Sequence, residues 1–483
     1  MGLIIPLVYW LDAYNTKGWA TYESSWMDPV TTTIVVILCL SLFLIPLCWV
    51  VTKRVIDSMA LVLGQQALIF GGYYYLDQTA AHFPDWMQDI LSVSGLVILF
   101  NAVGFLSFFI ALGTVYQLIK ALHYPLRPLD IPAAVLDRRL LMLGRLLSVL
   151  CAVSIASPMI LNHNIPLFAS DYPMSREDLI ADSSSRAFFQ ASGALLPFVT
   201  AILVIGILRA RRFISWDSFM VFFMLTCQLL TSNRLALAIA VATTLSAVTM
   251  HFRIPRWLLV PLFAGYLFSF TLLSGFTSLV RLNPHVLEDG NWISDSIEEA
   301  YLGDNIIDLR DGSWVFSKWD YEPLMGKTYL GGALSMVPSG LFPEKKQWHL
   351  GMTGVRIVGM PEEQHFGLRV TFFGEAFLNF GWAGVILLGT LIGSLYAVLL
   401  RQAHLIAQPD TPSCLYRNIT LLILLQCLLP LSNSSDGFIF WAQVGLLFLM
   451  WLTVVFPLRW SMARPVVSKQ NSAHPHEPSP TGA

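Results

Sequence analysis

Three ionisable side chains, His365, Arg369 and Glu375, lie in the segment HFGLRVTFFGEAFLNFG, residues 365–381, where a long hydrophobic run begins. An ionisable group costs roughly 2.5–3.5 kcal/mol inside a bilayer on insertion scales, so such groups are functional candidates wherever a membrane span retains them. The segment follows the only long polar stretch between hydrophobic runs, residues 281–366. Charged residues that a large external loop delivers to a membrane edge indicate chemistry at that edge.

Glu375 is the carboxylate that lies deepest in a predicted span, about two helical turns from its start. Thr371, Glu375 and Asn379 have i, i+4, i+8 spacing, which places them on one helix face. Desolvation raises the pKa of a buried carboxyl and a nearby arginine lowers it, and a carboxylate whose pKa is near neutral could accept a proton from a sugar hydroxyl. The alternative interpretation is structural, with Glu375 locking two helices together. His365 and Arg369 form a second i, i+4 pair, and His365 is either a base or a solvated cap.

Four arginines lie near the same predicted membrane edge: Arg234, Arg281, Arg310 and Arg369. A guanidinium group binds phosphate oxygens bidentately and stays charged at any relevant pH. Several of them converging at one edge would suit a lipid-linked pyrophosphate. The alternative interpretation is that each arginine reaches lipid headgroups or pairs with a nearby carboxylate.

The polar segment 281–366 mixes acidic, aromatic and apolar residues and is too long for a simple connector, which predicts short helices folded over the outer face. Trp314 is a candidate for stacking on a sugar ring, with packing of the loop onto the membrane surface as the alternative. Asp304 and Asp308 are secondary candidates for a base.

The sequence predicts neither a metal nor a cofactor. Its Cys and His residues have no zinc-site spacing, and its acidic residues have no calcium-loop spacing. It contains no P-loop, dinucleotide fingerprint or nucleophile elbow. The energy for a reaction would therefore come from an activated substrate.

The composition predicts an all-α, polytopic membrane protein. Of the 483 residues, 55% are hydrophobic and 12% are charged, whereas soluble domains have about 25% charged residues. The net charge of −2 and the scattered arginines exclude a nucleic-acid-binding face. We predict about eleven transmembrane helices, near residues 31–51, 59–76, 91–119, 140–161, 188–208, 216–232, 234–251, 256–279, 368–400, 415–432 and 437–457.

Two of the predicted hydrophobic segments are unusual in length, and the basic residues give the orientation of the spans. Residues 2–12 are an interfacial segment or a twelfth span, and the run 368–400 is long enough to be tilted or broken near Gly381 and Gly384. More than half of the 29 Lys and Arg residues lie at one set of span ends, which the positive-inside rule makes cytoplasmic.

The predicted spans, the long loop and this orientation together divide the chain into four parts. They are a membrane bundle over residues 1–280, a large periplasmic loop over 281–366, C-terminal spans over 367–464, and a disordered cytoplasmic tail over 465–483. The candidate site then faces the periplasm.

The chain resembles the Wzy-type polymerases of oligosaccharide repeat units, also called O-antigen polymerases. The features that carry the resemblance are the TSNR turn at 231–234, the long outer loop, and GEAFLNFGWAG at 374–384. The resemblance implies a GT-C-like glycosyltransferase of the bacterial inner membrane. It also implies outer-face arginines that hold pyrophosphate, matched here by Arg234, Arg281 and Arg369.

The implied reaction joins repeat units carried on undecaprenyl pyrophosphate, with one glycolipid as donor and another as acceptor, and needs no nucleotide sugar. A membrane protein that regulates chain length is a candidate partner. Two alternatives stay open: an O-antigen ligase that transfers glycan to the lipid A core, and a transporter of lipid-linked oligosaccharide.

Overall fold

The structure is a computed structural model of the protein. It describes residues 90–122, 131–163, 165–166, 183–231, 234–252, 309–337, 341–361, 368–371, 373–406, 414–432 and 437–457, with isolated positions between 254 and 296. The spans predicted at 31–51 and 59–76, the segment 2–12 and the tail 465–483 lie outside the described residues. The span predicted at 256–279 lies mostly outside them.

The described residues form helices and no strand, as the composition predicts. In chain order the α-helices are α1 (Ile90–Ala121), α2 (Ala133–Leu161), α3 (Ser183–Ala210), α4 (Trp216–Leu230), α5 (Arg234–Phe252), α6 (Leu309–Lys318), α7 (Lys327–Ala333), α8 (Lys345–Trp348), α9 (Leu350–Val358), α10 (Gly374–Ile406), α11 (Leu415–Ser432) and α12 (Gly437–Met450). A 3-10 turn, Leu334–Met336, follows α7, and a π-helical turn, Trp451–Val455, extends α12.

Five of these helices, α1, α2, α3, α10 and α12 with its π turn, are long and apolar enough to cross a membrane, and α4, α5 and α11 are shorter apolar helices. Their positions agree with eight of the predicted spans. The chain is therefore a multi-pass membrane protein. The break predicted in the run 368–400 is also confirmed, because Gly381 has non-helical dihedral angles within α10.

Three hydrophobic cores lie among the described residues. The largest lies between α2, α3, α4, α5, α11 and α12, and the smallest joins α1 to α10 through Phe109, Leu112, Tyr116 and Ala397. The second joins α1 and the start of α10 to the loop helices α6 and α9. The loop between α5 and α10 is thus built into the membrane domain through a core of its own.

Close packing of α1 against α10 holds this second core in place. A Cβ atom at Gly389 would overlap the carbonyl oxygen of Gly104, and one at Gly393 would overlap that of Phe108. Small residues spaced four apart let helix backbones approach closely in membranes. The GTLIG sequence at 389–393 therefore fixes α10 on α1 and fixes where the first turns of α10 lie.

We call the end of the molecule where α10 begins the loop side, and the end where α11 begins the far side. Because α10 crosses the bundle before α11 starts, the two sides lie at opposite ends of the spans. On the far side, Arg209 donates to Asp137 at 2.8 Å and Arg145 donates to both carboxylate oxygens of Asp217, each at 2.8 Å. These ion pairs join α3 to α2 and α2 to α4.

Candidate functional site

The helix break at Gly381 creates the site's backbone framework. Gly381 has φ 59° and ψ −147°, a conformation open essentially only to glycine. A helix that breaks leaves carbonyl oxygens without their helical donors. The N–H groups of Leu324 and Met325 donate to the carbonyls of Leu378 and Asn379, at 3.0 and 3.1 Å. A segment of the loop thereby takes the place of the next helical turn.

We call the contact between residues 324–328 of the loop and the break in α10 the joint. A cluster of buried polar side chains stabilises it. The hydroxyl of Thr328, at the start of α7, donates to Glu375 Oε1 at 2.5 Å. The side-chain amide of Asn379 donates to Thr328 Oγ1 at 2.7 Å, and Asn379 Oδ1 accepts from the Gly326 N–H at 2.9 Å. Thr328, Glu375 and Asn379 are each at most 1% exposed. Glu375 and Asn379 share a helix face, as their spacing predicts.

The glycines of GEAFLNFGWAG are explained by the same geometry. A Cβ at Gly384 would overlap the Ala376 carbonyl oxygen and lie 2.8 Å from Cβ of Phe380. A Cβ at Gly374 would lie 3.0 Å from Cβ of Val370 and 3.3 Å from the Phe316 ring. Together with Gly381, these positions let the broken helix fold closely on itself and on α6.

The prediction that Thr371 lies on the helix face of Glu375 is wrong. The helix begins at Gly374, and residues 368–371 are not helical. Thr371 instead accepts a hydrogen bond from the Asn101 side chain of α1 at 2.7 Å, and Asn101 Oδ1 accepts from the Phe373 N–H at 3.3 Å. These tertiary hydrogen bonds hold the segment against α1 and override its helical pattern.

The sequence also predicted that His365 and Arg369 form an i, i+4 pair on a helix. This prediction is wrong for Arg369, because Arg369 lies in the non-helical segment 368–371. Arg369 is exposed. Gly312 of α6 packs on the same segment, since a Cβ there would lie 3.4 Å from the Thr371 backbone nitrogen. The fold therefore places the segments that carry Arg310 and Arg369 side by side. His365 lies outside the described residues.

The other predicted arginines have different outcomes. Arg310 contacts the carboxylate of its neighbour Asp311 at 3.2 Å, and its side chain is 30% exposed. Arg234 is the first residue of α5, and its side chain lies outside the described structure. Arg281 and the secondary candidates Asp304 and Asp308 also lie outside it. The predicted convergence of four arginines thus stays a prediction, with two of the four on adjacent segments.

Trp314 is not available for stacking on a sugar, because it is 5% exposed and lies in the second core. It lies in the core that α6 shares with α1 and α10, so it packs the loop against other helices of the protein and not onto the membrane surface. Nearby, Phe316 and Trp319 contact the Phe377 ring of α10, with ring centroids 5.8 and 6.0 Å apart. These aromatic contacts therefore hold α6 against the first turns of α10.

Tyr329 lies beside the polar cluster. Its ring is parallel to that of Phe380, with centroids 6.4 Å apart. Burial raises the pKa of the Tyr329 phenol, and the neighbouring Glu375 carboxyl raises that pKa further. The phenol consequently stays protonated and neutral next to Glu375.

The opposite end of α7 is held by α12 and by a buried lysine. Trp441 Nε1 donates to the Ala333 carbonyl at 3.0 Å, and a Cβ at Gly437 would overlap the Gly332 carbonyl oxygen. Lys345 Nζ donates to the carbonyls of Leu334, Ser335 and Val337. Helix α7 therefore bridges α10 and α12.

Sequence reasoning did not identify Thr328 or Lys345, because their partners lie far along the chain and no periodic pattern marks them. Among the described residues, no group of three or more His, Cys, Asp or Glu side chains could hold a metal ion.

Comparison with known proteins finds no family model, no curated protein and no solved structure that matches this chain. The fold and site alone define its class: an all-helical, multi-pass membrane protein whose long loop is hydrogen-bonded into a broken span.

Proposed function

We propose that the protein is a membrane glycosyltransferase that polymerises oligosaccharide repeat units carried on undecaprenyl pyrophosphate, at the periplasmic face of a bacterial inner membrane. One observation supports this most strongly. The GEAFLNFGWAG segment, which carries the resemblance to the repeat-unit polymerases, forms the joint that holds the loop helices at the edge of a span. A lipid-linked substrate would present its pyrophosphate at such an edge.

Arg310 and Arg369 are the proposed pyrophosphate ligands within the described structure. They lie on adjacent segments at the loop side, and both are at least partly exposed. A hydroxyl of the acceptor sugar would attack the anomeric carbon of the donor, and the bond from that carbon to the pyrophosphate oxygen would break. The two guanidinium groups would stabilise the charge that develops on the leaving pyrophosphate.

We assign Glu375 a positioning role in this reaction. A base must reach the acceptor hydroxyl within about 3 Å, whereas Glu375 is 1% exposed and accepts a hydrogen bond from Thr328. Its geometry fits the structural alternative, in which a carboxylate ties two elements together. The acceptor proton would pass to His365 or to an acidic loop residue, Asp304 or Asp308.

The direct test uses purified full-length protein and a defined oligosaccharide on undecaprenyl pyrophosphate. A ladder of products that differ by one repeat supports the proposal. Transfer only to an added lipid A core acceptor would indicate a ligase, and movement across liposomes without a new glycosidic bond would indicate a transporter.

Arg369→Ala and Arg356→Ala form a matched pair for the arginine assignment. Both residues are exposed, but Arg356 lies at the end of α9 and donates to the Gln347 carbonyl at 3.3 Å. We expect Arg369→Ala to lower turnover by about 100-fold, the usual effect of removing one transition-state donor, and Arg356→Ala to leave turnover unchanged. Equal turnover in the two variants would contradict the assignment.

A further inference from the structure

A stripe of exposed apolar side chains runs along α10 from its first turns. Phe380, Leu387 and Leu391 are 45%, 68% and 52% exposed. Leu387 and Leu391, four residues apart, lie on one helix face beyond the break. Phe380 lies before the break, and a Cβ at Gly384, three residues before Leu387, would lie 2.8 Å from Cβ of Phe380, which brings Phe380 to the start of this face. Exposed apolar side chains on a helix long and apolar enough to cross a membrane are suited to contact lipid tails, so we take the stripe as the lipid-facing side of α10.

The loop continues this stripe beyond the end of the span. The Tyr329 ring is parallel to Phe380, and a Cβ at Gly326 would lie 3.0 Å from Cζ of Phe380. Directly beside these residues in the chain, Met325 is 74% exposed and Leu330 is 49% exposed. Phe380 is therefore the point where the apolar surface of the span passes onto the loop.

The backbone holds Met325 in this exposed position. Its φ is 51°, a left-handed conformation that is uncommon for a residue other than glycine. Its N–H donates to the Asn379 carbonyl at 3.1 Å, which ties it to the first turns of α10. This backbone conformation and hydrogen bond hold the exposed Met325 beside the first turns of α10.

We propose that Met325, Leu330 and Phe380 form a docking surface for the bilayer leaflet on the loop side, and that their side chains enter the boundary between headgroups and acyl chains. Lys327 is exposed between the two loop residues, and a lysine can lay its apolar stem on such a surface while its ammonium group reaches lipid phosphates. Asp320 and Glu322, which precede Met325 in the same loop, are exposed and carry charge. We expect residues 320–322 therefore to lie in water. This inference does not depend on the proposed function.

The test places a single environment-sensitive fluorophore on Met325→Cys or, as the matched control, on Glu322→Cys. Both positions are exposed and lie three residues apart in the same loop. The full-length variants are reconstituted in phosphatidylcholine liposomes, and the unsubstituted protein is labelled in parallel to measure reaction at its native cysteines. Quenching by a nitroxide near the top of the acyl chains is compared with quenching by aqueous iodide.

We expect the label at position 325 to emit at shorter wavelength, to be quenched by the lipid nitroxide and to be shielded from iodide. The label at 322 should show the opposite pattern. Equal iodide quenching at both positions would overturn the proposal, since the surface would then be in water. Shielding of position 325 from both quenchers would also overturn it, because protein would then cover the surface.

Discussion

The two sides of the molecule hold buried carboxylates in different ways. On the far side, Asp137 and Asp217 pair with guanidinium groups at 2.8 Å, and each pair joins two neighbouring helices of the bundle. On the loop side, Glu375 accepts a hydrogen bond from the hydroxyl of Thr328. That bond joins a span to a loop helix 47 residues earlier in the chain.

The difference separates two structural tasks. A far-side carboxylate neutralises an arginine between helices that hydropathy alone already specifies. Glu375 and Asn379 instead hydrogen-bond to loop residues, and these bonds determine which part of the loop replaces the missing helical turn at Gly381. The far side therefore contributes to the stability of the bundle, whereas the loop side determines where the loop lies. Substitutions on the two sides should fail in different ways.

The largest effect is expected for Arg209→Ala. It leaves Asp137, whose side chain is 4% exposed, without its guanidinium partner, and breaking a buried pair costs about 3 kcal/mol at the low end of the usual range. We take the low end because the Arg209 side chain is 35% exposed and solvent screens it. Thermal unfolding in detergent should show a lower midpoint for the whole bundle. An unchanged midpoint would contradict the claim that the far-side ion pairs stabilise the bundle.

Gly384→Ala should have the next largest effect. The added methyl would overlap the Ala376 carbonyl oxygen, and overpacking of this kind costs about 2 kcal/mol. Gly445→Ala in α12 is the control, because a Cβ there meets nothing within 4 Å and alanine favours the helix. Unfolding midpoints should fall for Gly384→Ala and hold or rise for Gly445→Ala. The same midpoint for both would mean that the helix does not fold back on itself at the break.

Thr328→Val should loosen the loop and leave the bundle intact. The change removes the hydroxyl between Glu375 and Asn379 at nearly constant volume, and loss of a hydrogen bond to a charged group costs about 2 kcal/mol. Limited proteolysis should cut residues 309–337 faster in this variant, while Thr328→Ser, which keeps the hydroxyl, should resemble the unsubstituted protein. Faster cutting in both variants would show that the methyl group, and not the hydroxyl, holds the loop.

The smallest effect is expected for Glu375→Gln. A glutamine oxygen still accepts from Thr328, so only the charge-assisted part of the bond is lost, less than about 1 kcal/mol. The proposed polymerising activity should persist in Glu375→Gln and fall in Glu375→Leu, which cannot accept the hydrogen bond. Loss of activity in Glu375→Gln with an intact loop would instead make Glu375 the base.

The spans were predictable because each is a long apolar run, and the break at Gly381 was predictable from an over-long run that contains glycines. The start of α10 was not, because Asn101 of α1 holds Thr371 outside the helix. Spacing along one helix identified the pair of Glu375 and Asn379. It could not identify Thr328, since a single loop hydroxyl has no pattern and its partner lies on another element.

Hydrogen exchange of the backbone amides of Leu324, Met325 and Gly326 tests the central claim most directly. These three amides donate to Leu378, Asn379 and the Asn379 side chain. We predict slow exchange across 324–326 in the unsubstituted protein and fast exchange in Thr328→Val, with the peptides of α2 and α3 unchanged. Fast exchange at 324–326 in the unsubstituted protein would contradict the claim that the loop is seated in the broken span.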